Sequence, residues 1–168
     1  MIKPDFQHKN RSVRDYTDRP ILVYWEMTQA CGLACRHCSA EAMPIAHPLE
    51  LNHTESQILL HQIAAFGLPL PHLILTGGDP LQRTDLFDLI DAANALGMPV
   101  SITPAATEKL TRELIKELKA HGIQSMGLSL DGSDGVRHEA VRGVRGCFDW
   151  TVRAARRMRL AGAFILVG

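Results

Sequence analysis

His72-Leu73-Ile74-Leu75-Thr76-Gly77-Gly78-Asp79-Pro80 is a short apolar run that stops on a glycine pair. An amphipathic stretch follows from about Asp85, with Leu86, Leu89, Ile90 and Ala93 on one helical face and Gly97 as terminator. A strand closed by turn residues and followed by a helix of period 3.6 is a βα unit, and the unit recurs on both sides of this one. Upstream, residues 21–28 are rich in β-branched and aromatic side chains and follow Pro20, so they read as a first strand. A helix then starts at Thr54 with Gln57 in capping-box register, carries Ile58, Leu59, Ile63 and Phe66, and stops at Gly67. Downstream, residues 100–103 precede a helix with Leu110, Leu114 and Leu118 that ends near Gly122. Residues 125–130 precede a helix with Phe148, Val152 and Ala155 that ends near Gly162, and residues 164–167 read as a fifth strand. Strands alternating with helices predict an α/β fold, with a parallel sheet of βαβ units either open or curved into a barrel.

The composition bounds what this fold can serve. The 168 residues suffice for one core of ordinary size. With 46% hydrophobic and 21% charged residues, and 18 basic against 18 acidic side chains, the profile is that of a soluble globular protein. A neutral balance provides no broad attraction to nucleic acid or anionic lipid, so neither is expected as a partner. Residues 1–20 form a polar N-terminal leader without the apolar stretch of a secretory signal, and no run is long enough to span a membrane. The expected compartment is the cytoplasm, where the four cysteines read as metal ligands, reactive thiols or buried apolar groups rather than disulfides.

In a parallel α/β sheet the ligand site lies where the loops leave the carboxyl ends of the strands. Every chemically unusual residue falls on that rim: the cysteine segment after the first strand, Gly77-Gly78-Asp79-Pro80 after the second, Thr103 at the end of the third, and Ser129-Leu130-Asp131-Gly132 at the end of the fourth. Cys31-Gly-Leu-Ala-Cys35-Arg-His-Cys38 puts three thiols on one short loop, a spacing that suits an iron–sulfur cluster with one position left open. The same spacing admits a structural zinc site completed by a histidine or Cys147, and it admits reactive or buried thiols. Gly77-Gly78 lets backbone approach a ligand closely, Asp79 can accept from an ammonium group or hydroxyl, and Arg142 can pair with a carboxylate. Arg137, His138, Glu139 and Arg142 form a polar cluster that reads equally as a solvated loop before the fourth helix. The run Arg153, Arg156, Arg157 and Arg159 reads as an exposed helix face.

These motifs, in this order, resemble the radical S-adenosylmethionine (SAM) superfamily. His138-Glu139-x-x-Arg142-Gly143…Phe148-Asp149 resembles the branch with haem and haem d1 biosynthesis enzymes and SPASM-type peptide maturases. The likeness runs from about residue 23 to residue 161. It implies a partial (βα)6 barrel with about four to five parallel strands in residues 21–168, a core truncated near strand five. It further implies an enzyme with a [4Fe–4S] cluster on Cys31, Cys35 and Cys38, whose fourth iron binds the amino and carboxylate groups of SAM. An electron from a donor such as flavodoxin or ferredoxin then cleaves SAM, and the 5′-deoxyadenosyl radical abstracts hydrogen from a small-molecule or peptide substrate, a tetrapyrrole among the candidates. Carried over by residue, Gly77, Gly78 and Asp79 hold the methionyl amino group, and Ser129 and Arg142 hold its carboxylate. Asp131 or Thr103 reaches nearby polar atoms, and His37 lies beside the adenine. Asp79 stands where the family usually has Glu, one methylene longer. The competing readings are a zinc-stabilised α/β binding module and a catalytically inactive remnant of such an enzyme.

Overall fold

The computed structural model describes residues 19–33, 35–38 and 40–161, and the backbone of residues 164–167. Nearly all of the leader, residues 1–18, and the terminator Gly162 lie outside the described residues. Strands β1 (Leu22–Glu26), β2 (His72–Thr76), β3 (Val100–Ile102), β4 (Ile123–Leu128) and β5 (Phe164–Val167) form one sheet in the order of the chain, and every neighbouring pair is parallel. Between them run α1 (His53–Ala64), α2 (Leu86–Ala95), α3 (Arg112–Ala120), and the pair α4 (Gly135–Arg142) and α5 (Cys147–Leu160). The expected α/β architecture and strand count hold. Among the described residues no helix is long and apolar enough to cross a membrane.

Alternation along the strands sets the layers. Trp25, Leu73, Leu75, Val100, Ile102, Met126 and Leu128 are buried against the helices in one core with Leu60, Ile63, Leu89, Ile90, Ile115, Leu118 and Met158. Successive strand residues point to opposite faces, so Leu22, Tyr24, His72, Ile74, Ser101 and Ser125 lie on the other side, where they line a groove of about 410 Å3. Tyr24 is 66% exposed there.

Several expected boundaries shift for identifiable reasons. α1 starts on Asn52, not Thr54: the Asn52 side chain accepts from the Glu55 amide (3.0 Å) and Glu55 accepts from the Asn52 amide (2.9 Å), which satisfies two orphan donors reciprocally. Its buried positions are Ser56, Leu60 and Ile63, while Ile58 and Phe66 are exposed. β4 lies two residues earlier than expected, so Ser129 and Leu130 stand beyond the strand. α5 buries Cys147, Thr151, Ala154 and Met158, and the expected face of Phe148, Val152 and Ala155 is only half-buried. The polar cluster at residues 137–142, which reads equally as a solvated loop, lies on helix α4, capped by Asp134 and ended by Gly143 in the left-handed region.

Candidate functional site

The chain leaves β1 through Met27, whose amide still bonds Thr76 (3.0 Å), and enters the cysteine loop. This loop is clamped at its base. Cys31 N donates to Met43 O and Met43 N donates to Gln29 O, both at 2.8 Å, so the outgoing and returning strands of the loop pair briefly. From the other side Gly78 N donates to Thr28 O and Asp79 N to Ala30 O, both at 2.7 Å. The glycine pair is needed for that clamp: a Cβ on Gly78 would lie 2.5 Å from the Ala30 carbonyl oxygen and 2.6 Å from that of Gln29, and Gly77 adopts φ +119° against Thr28. Arg36 N donates to Val141 O (3.3 Å), which ties the tip of the loop to the end of α4.

Cys31, Cys35 and Cys38 are each half-buried and border one cavity of about 170 Å3. Its wall also contains His37, Gly77, Gly78, Thr103, Ser129 and Arg142, with apolar contributions from Leu33, Ala40, Ala42 and Ala105. Two of the sulfurs already receive donors: Leu33 N–H points to Cys31 Sγ (3.3 Å) and Arg142 Nη1 to Cys35 Sγ (3.5 Å). Burial pushes the Cys31 thiol up and the Leu33 amide acts against it. Cys147 is buried in the first turn of α5 and does not border the cavity. Burial, and then Glu139, pushes its thiol up.

The fourth strand's loop supplies the charged wall. Arg142 Nε donates to Asp131 (2.6 Å), and although burial works against the guanidinium charge, Asp131 and Cys35 outweigh it and raise its pKa. Asp131 itself stands behind Arg142 rather than in the cavity wall, with His37 Nε2 3.6 Å away. His138 is buried, and its Nδ1 accepts from the Asp131 amide (3.1 Å). Burial, then Arg142, lowers its pKa, which agrees with a neutral ring whose proton is on Nε2. Glu139 accepts from Gly146 N (2.8 Å) and turns the chain into α5, and Arg137 makes an exposed pair with Asp134. The polar cluster therefore divides into an exposed ion pair (Arg137), a turn (Glu139), a buried brace (His138) and one cavity residue (Arg142).

Asp79 is fully buried and does not border the cavity. Its Oδ1 accepts from Leu81 N and Ala105 N, both at 3.2 Å, and Oδ2 has no hydrogen-bond partner among the described residues. Burial pushes this carboxyl above the ordinary range, opposed by the two amides and then by Lys109 and Gln82. Thr103 borders the cavity and fits because Gly127 has no Cβ, which would lie 2.7 Å from its hydroxyl.

One residue of structural weight had no signal in the sequence. Arg83 has a side chain only 5% exposed and donates to Met27 O, Leu51 O, Ser56 Oγ, Glu50 and both oxygens of Asp85, with Trp25 5.9 Å beneath it. It joins the exit of β1 to residues 50–56 and to the start of α2. Nothing in a lone Arg between Gln82 and Thr84 announces this.

The donor set can be tested against the groups the motifs imply. In a tetrahedral zinc site the ligands crowd round one ion at bonds of about 2.3 Å to sulfur, and among the described residues no three His, Cys, Asp or Glu side chains are gathered in that way. In a cluster each thiolate takes a different iron, so the thiols border a common space without converging on a point. Three thiols around one cavity, with donors on two of them, fit the cluster.

A sequence model described as the radical SAM superfamily matches residues 25–167. The chain is 37% identical over 155 residues to the AdoMet-dependent heme synthase of Nitratidesulfovibrio vulgaris, covering 92% of this chain and 41% of that protein. It is 32% identical over 145 residues to the mycofactocin maturase MftC of Mycolicibacterium smegmatis, covering 86% of this chain and 36% of that one. The chain thus spans well under half the length of these curated relatives. The crystal structure of Streptococcus suis SuiB bound to S-adenosylmethionine superposes with a TM-score of 0.70 over 89% of this chain and 34% of that one, at 22% identity, a likeness of fold.

Proposed function

We propose, since this chain belongs to the radical SAM superfamily, that Cys31, Cys35 and Cys38 hold a [4Fe–4S] cluster and that the adjoining cavity takes SAM. The observation that carries the reading is the convergence of the three thiols, the Gly77-Gly78 backbone, Ser129 and Arg142 on one cavity at the carboxyl ends of the strands. When bound, the cluster supplies the electron that cleaves SAM to a 5′-deoxyadenosyl radical for hydrogen abstraction.

The chain's own residues position and shield. Arg142 spends one N–H on Asp131 and one on Cys35, and its remaining donors are free to hold a carboxylate in charge-assisted bonds. Ser129 adds a hydroxyl from the same rim, and the Gly77-Gly78 backbone offers its polar groups without a side chain in the way. Leu33, Ala40, Ala42 and Ala105 make part of the wall apolar, which limits the access of bulk solvent to a bound ligand. His37, half exposed and held near Asp131, stands at the mouth, where it can flank a base. By their names one relative is a heme synthase and another a mycofactocin maturase, and SuiB, of like fold, has been solved bound to a precursor peptide, so a tetrapyrrole or a peptide is the proposed substrate class, with a flavodoxin or ferredoxin as electron donor.

Anaerobic reconstitution tests the reading. The expected product carries roughly four irons per chain, shows the absorption of an iron–sulfur protein, and changes its reduced EPR spectrum when SAM is added. A chain that takes up one zinc and no iron contradicts it.

A further inference from the structure

We infer that Asp79 is a positioning strut that pins the turn after β2 to the loop after β3, and that it does not itself contact the amino group of the cofactor. What the cavity takes rests on the functional reading above; the strut rests on the hydrogen bonds alone.

Three loops meet at this residue. Its amide donates to Ala30 O, one residue before Cys31. Its Oδ1 accepts at the same time from Leu81 N, which closes the 3-10 turn Pro80–Gln82, and from Ala105 N in the cavity wall. Oδ1 is shared by two amides, and Oδ2, although it has no donor among the described residues, is sealed in a fully buried side chain that does not border the cavity. Gly77, Gly78 and Ala105 border that cavity, and Asp79 lies behind them. The short side chain suits this work: the turn and the Ala105 loop are drawn within one carboxyl's reach, and another methylene would have to push one of them away. Asp79 therefore acts on a bound ligand through Ala105 on one side and the base of the cysteine loop on the other. Its idle Oδ2 is the weak point of the strut, since a buried carboxylate oxygen without a donor opposes folding.

Asn tests this, because it keeps the Oδ1 acceptor and removes the buried charge. Asp79→Asn, Asp79→Ala and Asp79→Glu are compared in the 168-residue chain, cofactor-free for Tm, and reconstituted for iron content, SAM dissociation constant and the SAM-induced EPR change, all read well below the lowest Tm. The strut predicts that Asn keeps the Tm and binds SAM within about threefold of the parent, a rescue by the isosteric acceptor. Ala, with its iron retained, should weaken SAM more than roughly tenfold and blunt the EPR change, and Glu should lower the Tm by roughly 5 °C. The inference is overturned if Asn loses SAM more than roughly tenfold with unchanged Tm and iron, or if Glu binds SAM more tightly at no cost in Tm. Should Ala fail to fold, the Asn and Glu pair still distinguishes the two roles. Should the parent itself fail to bind SAM, the functional reading falls, while the cofactor-free Tm series still speaks: Asn above Ala upholds the strut, and equal values for all variants overturn it.

Discussion

Arg83 shows how much a single side chain can fasten in this chain. A guanidinium almost fully withdrawn from water and surrounded by backbone and carboxylate acceptors is costly to remove, since half-buried Glu50 and Asp85 then lose its charge, although His53 still reaches Asp85. Arg83→Ala is expected to cost about 3–5 kcal/mol in chemical denaturation, and Arg83→Lys to recover little, because an ammonium cannot span both Asp85 oxygens. The same pair sets a pH response. Burial pushes the Asp85 carboxyl up, but the paired hydrogen bonds and charge of Arg83 outweigh it and hold the carboxyl below its ordinary range. A depressed carboxyl stabilises the fold above its unfolded pKa, about 3.9, and loses that contribution as pH falls through the lower folded value. The stability gap between the parent and Asp85→Asn should therefore be full at neutral pH and close in acid; a gap that is flat with pH would contradict the pairing. Among the cysteines, Ala substitution of Cys31, Cys35 or Cys38 should abolish iron loading, whereas Cys147→Ala, buried outside the cavity, should retain it. Equal loss in the Cys147 variant would point to a four-cysteine site.

At the level of elements, the glycine turn after β2 and the cysteine loop after β1 behave as one piece. Gly77 and Gly78 read in the sequence as a site of close approach by a ligand, and their closest approach is to the backbone of residues 28–30, the foot of the cysteine loop. A Cβ at Gly78 meets carbonyl oxygens that have no room to retreat, so Gly78→Val should lower the Tm and the iron content together; loss of SAM binding with both unchanged would show that the clamp is not needed. α4 was hidden for a different reason. Sequence reading finds helices by apolar period, and α4 buries only His138; its marks are the cap Asp134 and the stop Gly143, which bound it as clearly as any stripe. The shifted start of α1 is the same lesson, because Asn52 with Glu55 is a capping pair as good as the one expected at Thr54. Asp79 is legible only as a rim residue and Arg83 not at all, since apart from Leu81 and Asp85 beside them the partners that hold them are 26 to 56 residues away.

For the whole molecule, parallel pairing and the gathering of functional residues on one rim are legible because hydrophobic period and turn chemistry are local and ligand sites lie at the carboxyl ends of parallel strands, whereas the strand order β1-β2-β3-β4-β5 is not, since an open sheet and a curved one fit the same pattern. What local pattern could not give is which sheet face is covered. The helices close the Trp25 and Leu73 face, and Leu22 and Tyr24 remain 47% and 66% exposed on the other. An open apolar sheet face favours association, so the 168-residue chain by itself should self-associate in light scattering, and Tyr24→Ser with Leu22→Ser should reduce this; a monodisperse parent would contradict it. One cavity is proposed to hold both a cluster and SAM. Its most direct test is the EPR spectrum of the anaerobically reconstituted and reduced chain before and after SAM is added, beside the Arg142→Ala variant. The expected result is a [4Fe–4S] signal that SAM shifts in the parent and shifts far less in the variant at equal iron content. A cluster signal indifferent to SAM in the parent, or no cluster at all, would contradict it.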